Sequence, residues 1–193
     1  MIEDPFGGSN PNNDLEVPGG GGDCIIDGFE KDLALCSALS EMGALVPSSA
    51  LARVSTAAGY AQDAFDSAST PHCDSLFNLP NGEDPLDLLN DPQLHVTYGP
   101  LPNGITAETY GLPGSGSATI VFNTGAGSPF LSGSPGANAI TLIHELLHAA
   151  VDIYGAGAVS PLWIQNDYGN TAAQGSNFAL IDVRCGAALP PLQ

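Results

Sequence analysis

The clearest hydrophobic pattern in the chain is an apolar run between residues 139 and 151, interrupted by three ionisable residues. The run reads AITLIHELLHAAV, and the interruptions are His144, Glu145 and His148. A run of this length exceeds an ordinary strand and predicts a helix that is buried on most of its surface. We expect Asn138 to cap the amino end of this helix and Gly155 to end it.

The pattern before this helix changes from helical to strand-like. Helices are predicted over 27–45, from residue 48 or 49 to about 67, and over 84–89, where Pro85 lies in the first turn. Residues that favour strands then cluster in 94–98, 106–110 and 118–123. These predict a small twisted sheet, in which 118–123 is either an edge strand or an ordinary core strand. With the helix that contains His144, Glu145 and His148 and a short carboxyl-terminal tail, the order of elements predicts an α+β fold.

Composition and charge restrict the class of protein. The chain has 193 residues, enough for one domain, with 21 acidic residues against three basic ones and a net charge of −18. This balance argues against nucleic acid and anionic membranes as partners. No apolar run reaches the length of a membrane span, so we expect no membrane insertion.

The first 23 residues differ in composition from the rest. They are rich in Gly, Pro and Asn and contain a run of glycines at 19–22, which is typical of a flexible linker. We therefore expect a linker over 1–23 and a single domain over 24–193, attached to or cleaved from a longer chain. In layout the chain weakly resembles the variable carboxyl-terminal domains of bacterial rearrangement-hotspot repeat proteins.

The cysteines bear on the compartment. Cys24, Cys36, Cys73 and Cys185 are an even number, consistent with two disulfides in a secreted or cell-surface protein. Three pairings are possible, and free buried thiols or a structural zinc site are the alternatives.

The candidate chemistry lies in the sequence His144-Glu145-Leu146-Leu147-His148. Residues four apart on a helix lie on one face, about 6 Å apart along the axis, so two imidazoles at this spacing can reach one metal ion. Glu145 projects to the flank of the same face, where it can hold a water molecule beside the metal. The alternative is a buried helix with incidental ionisable residues, which is costly without a ligand.

This HExxH motif resembles that of the zincins, a class of zinc metallopeptidases, over residues 138–157. The resemblance implies a minimal zincin-like fold with zinc held by His144 and His148. It also implies that Glu145 is the general base for zinc-activated water attacking the carbonyl of a peptide or protein substrate. The resemblance further implies the reaction class of a metalloendopeptidase.

The third metal ligand is less clearly marked. Val151 and Tyr154 replace the glycine and histidine of the longer metzincin motif, and no glutamate follows Glu145. The segment around Asp167, followed by Tyr-Gly, loosely resembles the segment that supplies the third ligand in aspzincins. Asp167 is therefore the predicted ligand, with Asp182 as an alternative. Asp152, one turn beyond His148, is expected either to hydrogen-bond His148 or to face water.

A second class of function is compatible with the same residues. In a non-catalytic, metal-stabilised binding or attachment domain, His144 and His148 would hold a structural zinc and Glu145 would not be needed. The two hypotheses therefore differ in what they require of Glu145.

Overall fold

The computed structural model describes residues 48–67, 72–164, 167 and 169–191. The linker predicted over 1–23, the helix predicted over 27–45, and both Cys24 and Cys36 lie outside these residues. Within them, helices and a small sheet form one hydrophobic core, which is the predicted α+β class.

The first described helix, α1 (Ser48–Asp66), lies close to the predicted bounds. Its alanine-rich face packs against the motif helix, because small side chains at helical spacing allow two helices to approach closely. The buried residues of this face are Ala50, Val54, Ala57, Ala58, Ala61, Ala64 and Phe65.

The strands lie near their predicted positions, as β1 (Leu94–Gly99), β2 (Ala107–Gly111) and β3 (Ala118–Asn123). The order among the described strands is β1-β3-β2, with β3 parallel to β1 and antiparallel to β2. The expectation that 118–123 forms the edge is therefore wrong, and its alternative as a core strand is confirmed. Ile120 and Phe122 of β3 are fully buried, whereas the more polar β2 takes an edge position.

The motif helix is α3 (Pro135–Tyr154), preceded by a short helix, α2 (Pro129–Ser132). Helix α3 starts one turn earlier than predicted, because the Ser134 hydroxyl caps it by accepting a hydrogen bond from the amide of Ala137. Asn138 instead lies inside the helix, where its side chain donates to the carbonyl of Phe130. Gly155 ends the helix with φ of 90°, as predicted.

The tail after the motif helix contains a helix that the sequence pattern did not predict, α4 (Thr171–Cys185). Asn170 caps it, and a disulfide from Cys185 to Cys73 ties its end to the 3-10 helix Cys73–Leu76. The Cys73–Cys185 bond belongs to one of the three possible pairings of the four cysteines. It rules out free thiols for these two residues. The remaining 3-10 helices are Pro80–Gly82, Pro85–Asn90, Ala156–Ala158 and Gly186–Ala188.

Candidate metal centre and cleft

The two histidines of α3 converge on Asp167, which lies in the loop that leads into α4. Nε2 of His148 lies 3.0 Å from Oδ1 of Asp167, and Nε2 of His144 lies 3.3 Å from Oδ2. One candidate ligand atom from each of the three residues can be chosen so that all three atoms lie within 4.8 Å of one another. The four-residue spacing on the helix and the return of the loop thus place three metal-binding groups around one point.

Asn177 of α4 holds Asp167 in this position. Its side-chain amide donates to Oδ2 of Asp167 at 2.7 Å and to the carbonyl of Ile164 at 2.8 Å. Its side-chain oxygen accepts from the Ile164 amide at 3.0 Å. Burial alone would raise the pKa of Asp167, but hydrogen bonds from His144, His148 and Asn177 outweigh it and lower that pKa well below the usual range. The carboxylate is therefore kept ionised, the form that binds a metal.

Glu145 lies beside the three candidate ligand groups and is only 6% exposed. The hydroxyl of Thr109, on the edge strand β2, donates to Oε2 of Glu145 at 2.7 Å. Burial raises the pKa of Glu145, while the neighbouring charges of His144 and His148 and the Thr109 hydrogen bond oppose the rise. A carboxyl group with a raised pKa is suited to accept and return a proton near neutral pH.

Aromatic side chains fix the two imidazole rings. The ring of Phe178 stacks on His144 with a centroid separation of 4.6 Å, and Trp163 meets both imidazoles edge-on at 5.0 and 5.2 Å. Nδ1 of His144 is buried and has no hydrogen-bond partner among the described residues. Aromatic packing and the contact of Nε2 with Asp167 therefore orient this ring, without a hydrogen bond at Nδ1.

A cleft of about 720 Å³ opens over these residues. One wall is α3, and the other is formed by β2 with the loop before it. The volume falls in the range of small-molecule and peptide-binding pockets. The candidate site is thus reachable by a ligand, even though its ionisable groups are mostly buried.

The other candidate residues lie elsewhere or make other contacts. Asp182 lies on α4 at a separate small cavity, away from the histidines, so the structure does not bring it to the site. Asp152 lines the main cleft, but no hydrogen bond joins it to His148 in the described structure. Tyr154, one of the departures from the metzincin motif, donates its hydroxyl to Asp91 instead of turning to the site.

Two residues of the site were not predicted from the sequence. Thr109 lies 36 residues before Glu145 in the chain, and Asn177 lies ten residues after Asp167, in the segment predicted only as a short carboxyl-terminal tail. For Thr109, the sequence offered only the predicted strand over 106–110, which did not indicate a contact with Glu145. No local pattern marks Asn177, because its partners are brought to it by the fold of the loop.

The residues present fit a divalent metal ion. Two neutral imidazole nitrogens and one carboxylate are a set that catalytic zinc sites use, leaving a fourth position open to solvent or substrate. The same set also suits other first-row metals, so the geometry alone does not select zinc. Burying the two imidazoles and the carboxylate side by side without an ion would carry a large desolvation cost.

Comparison of the chain with family models, curated proteins and solved structures finds no match. Within the described ranges, no helix has both the length and the apolar character needed to cross a membrane.

Proposed function

We propose that this protein is a zinc-dependent peptidase of the zincin type, in which His144, His148 and Asp167 bind the metal and Glu145 is the general base. The observation that carries the proposal is the convergence of both histidine Nε2 atoms on the two oxygens of Asp167 at the floor of an open cleft. The buried Glu145 next to this point adds the one group that hydrolysis needs and that metal binding alone does not.

Each residue has a definite part in the proposed reaction. A bound zinc ion supplies Lewis acidity, which lowers the pKa of a neighbouring water and polarises a carbonyl. Glu145 removes a proton from the attacking water and returns it to the departing amine, the two transfers that peptide hydrolysis requires. Thr109 orients the Glu145 carboxylate through its hydrogen bond, and Asn177 orients Asp167.

The position of β2 supports a peptide as the substrate. Among the described strands β2 pairs with β3 alone, and several of its residues line the cleft. A substrate in extended conformation can add to such an edge through main-chain hydrogen bonds, which gives affinity that depends little on sequence. A peptide bound to β2 would pass close to Glu145, because Thr109 of this strand donates a hydrogen bond to Glu145.

We further infer that the protein works in an oxidising compartment, at the cell surface or after secretion. The disulfide between Cys73 and Cys185 supports this, since such bonds persist mainly outside reducing cytosol.

The test begins with metal content. We expect about one zinc per chain in the purified protein and greatly reduced zinc in His148→Ala, because a catalytic zinc site has only three protein ligands to lose. The zinc-loaded chain is then incubated with a mixed peptide library, with Glu145→Gln as the inactive variant and Glu83→Gln as a matched change at an exposed position.

Loss of the general base should lower kcat/KM by about 10²- to 10⁴-fold in Glu145→Gln with zinc still bound, while Glu83→Gln stays active. Full activity in Glu145→Gln would remove its role as the base. Zinc binding without cleavage of any peptide would instead favour the non-catalytic, metal-stabilised binding domain. Absence of zinc binding after zinc is added back would contradict both functions.

A further inference from the structure

One carboxylate in the cleft has no use in the proposed reaction. Asp152 lies one helical turn beyond His148 on α3, is 9% exposed, and lines the same cavity as the histidines and Glu145. No hydrogen bond or ion pair reaches its carboxylate from the described residues. A carboxylate that lines a cleft and accepts no hydrogen bond from the described residues can receive a cationic group of a bound ligand.

The strand opposite makes room for this carboxylate. Gly111, the last residue of β2, lies so close that a Cβ atom there would be 2.3 Å from Oδ2 of Asp152. Any other residue at position 111 would therefore push Asp152 out of its place. The absence of a side chain at Gly111 lets the carboxylate lie against β2, where both residues line the cleft.

The described arginines do not neutralise Asp152. Arg53 donates to the carbonyl of Gly133 at 3.1 Å, and Arg184 donates to the hydroxyl of Ser75 at 3.2 Å. Neither lines the cleft, whose described lining contains no lysine or arginine. Among the described residues, the charge that acts on Asp152 is that of His148, on its own helix.

We propose that Asp152 is a specificity-determining residue that receives a cationic group of the substrate, an ammonium or guanidinium. This inference rests on the proposed peptidase function. It adds the class of substrate, namely peptides with a lysine or arginine side chain, or a free amino terminus, close to the scissile bond.

The spacing along β2 sets where that cation lies. Thr109 contacts Glu145, and Gly111, two residues later, contacts Asp152. Residues two apart in a strand lie on the same face, about 6.8 Å apart. A substrate paired with β2 therefore presents to Asp152 a residue within about two positions of the one that passes Glu145.

The test uses three peptides of otherwise identical sequence. The first is blocked at both ends and contains one lysine; the second has glutamine in its place; the third carries glutamine and an unblocked amino terminus. Binding is measured by fluorescence anisotropy on zinc-loaded Glu145→Gln, with and without Asp152→Asn. Asp63→Asn on α1, an exposed position, is the matched loss of one negative charge. It controls for the general attraction of cations by a chain of charge −18.

We expect the lysine peptide to bind at least about tenfold more tightly than the glutamine peptide. The ratio of the two affinities should fall to about one in Asp152→Asn and stay unchanged in Asp63→Asn. A preference for the third peptide instead would support the cation site and assign it to the substrate's amino terminus. Asn has nearly the shape of Asp and fits against Gly111; Asp152→Ser is the second variant should Asp152→Asn fail to fold.

Equal binding of all three peptides by the chain with Asp152 intact would overturn the inference, as would an unchanged preference in Asp152→Asn. These results are separable from failure of the peptidase proposal. Cleavage of all three peptides at equal rates by the unmutated protein would keep the peptidase and remove the cation site. A preference for the lysine peptide in binding, without cleavage of any peptide, would keep the cation site and remove the peptidase.

Discussion

The side-chain amide of Asn177 donates a 2.7 Å hydrogen bond to Oδ2 of Asp167, the same oxygen that faces Nε2 of His144. This contact links α4 to the candidate metal centre on α3. Since a loop carries Asp167, its position depends on Asn177, which also holds the backbone of that loop at Ile164.

Asn177→Ala should therefore weaken zinc binding without removing a ligand. Groups that orient metal ligands typically contribute 10- to 100-fold in affinity, and we expect a loss of about that size. Zinc affinity is measured by competition with a chromogenic chelator, and Ser176→Ala on the exposed side of α4 is the control. An affinity for zinc equal to that of the unmutated chain would show that the loop holds Asp167 without help from α4.

A second prediction concerns Thr109. Its hydroxyl opposes the rise in the pKa of Glu145, so Thr109→Val should raise that pKa further. A base that stays protonated to higher pH loses activity first at low pH, and the acidic limb of the kcat/KM profile should move to higher pH. We expect kcat/KM to fall by about tenfold near neutral pH, with zinc content unchanged.

Thr109→Ser keeps the hydroxyl and is the matched control for this change. It should retain the acidic limb of the unmutated protein. If Thr109→Val and Thr109→Ser shift the profile equally, the effect comes from the packing of β2 and not from the hydrogen bond to Glu145.

Zinc affinity should depend on pH over a range set by His148. Burial lowers the pKa of this histidine, but the hydrogen bond to Asp167 and the charge of Glu145 outweigh burial and raise it above its ordinary value. Zinc must displace the proton of the metal-free site, so affinity should fall as pH drops, and the fall should begin above pH of about 6.5. Chelator competition between pH 5.5 and 8.5 measures this, and a constant affinity from pH 8 to 6 would contradict it.

The sequence predicted the part of the site that depends on local geometry. His144, Glu145 and His148 lie on one helix, where residue spacing alone determines which side chains share a face. Their convergence with Asp167 in the structure agrees with the predicted ligand set, although metal binding itself stays a prediction. The choice of Asp167 came from a resemblance, since spacing cannot show where a loop of this length returns.

The errors in the fold arise from long-range pairing. The strands follow one another along the chain as β1, β2 and β3, but β3 pairs between the other two, so 118–123 is central. Its fully buried Ile120 and Phe122 fit that position better than the exposed Tyr110 of β2 would. Helix α4 was not predicted because Gly175 and several small polar residues weaken its hydrophobic pattern. Packing against α3 and the disulfide at Cys185 stabilise the helix in spite of this weak pattern.

The disulfide between Cys73 and Cys185 provides the last prediction. It joins residues 112 positions apart, and cross-linking so long a loop restricts the unfolded chain strongly. The double variant Cys73→Ala/Cys185→Ala should lose about 2–5 kcal/mol of unfolding free energy in urea titrations. Because Cys185 ends the helix that carries Asn177, zinc affinity should fall as well.

The two effects of this double variant can be told apart. Excess zinc stabilises the folded state through binding, so titrations with zinc and with a chelator separate loss of the cross-link from loss of metal. A drop in unfolding free energy with unchanged zinc affinity would mean that α4 stays in place without the bond. An unfolding free energy within about 1 kcal/mol of the unmutated protein would contradict the prediction, since it would show that packing of α4 alone closes the loop.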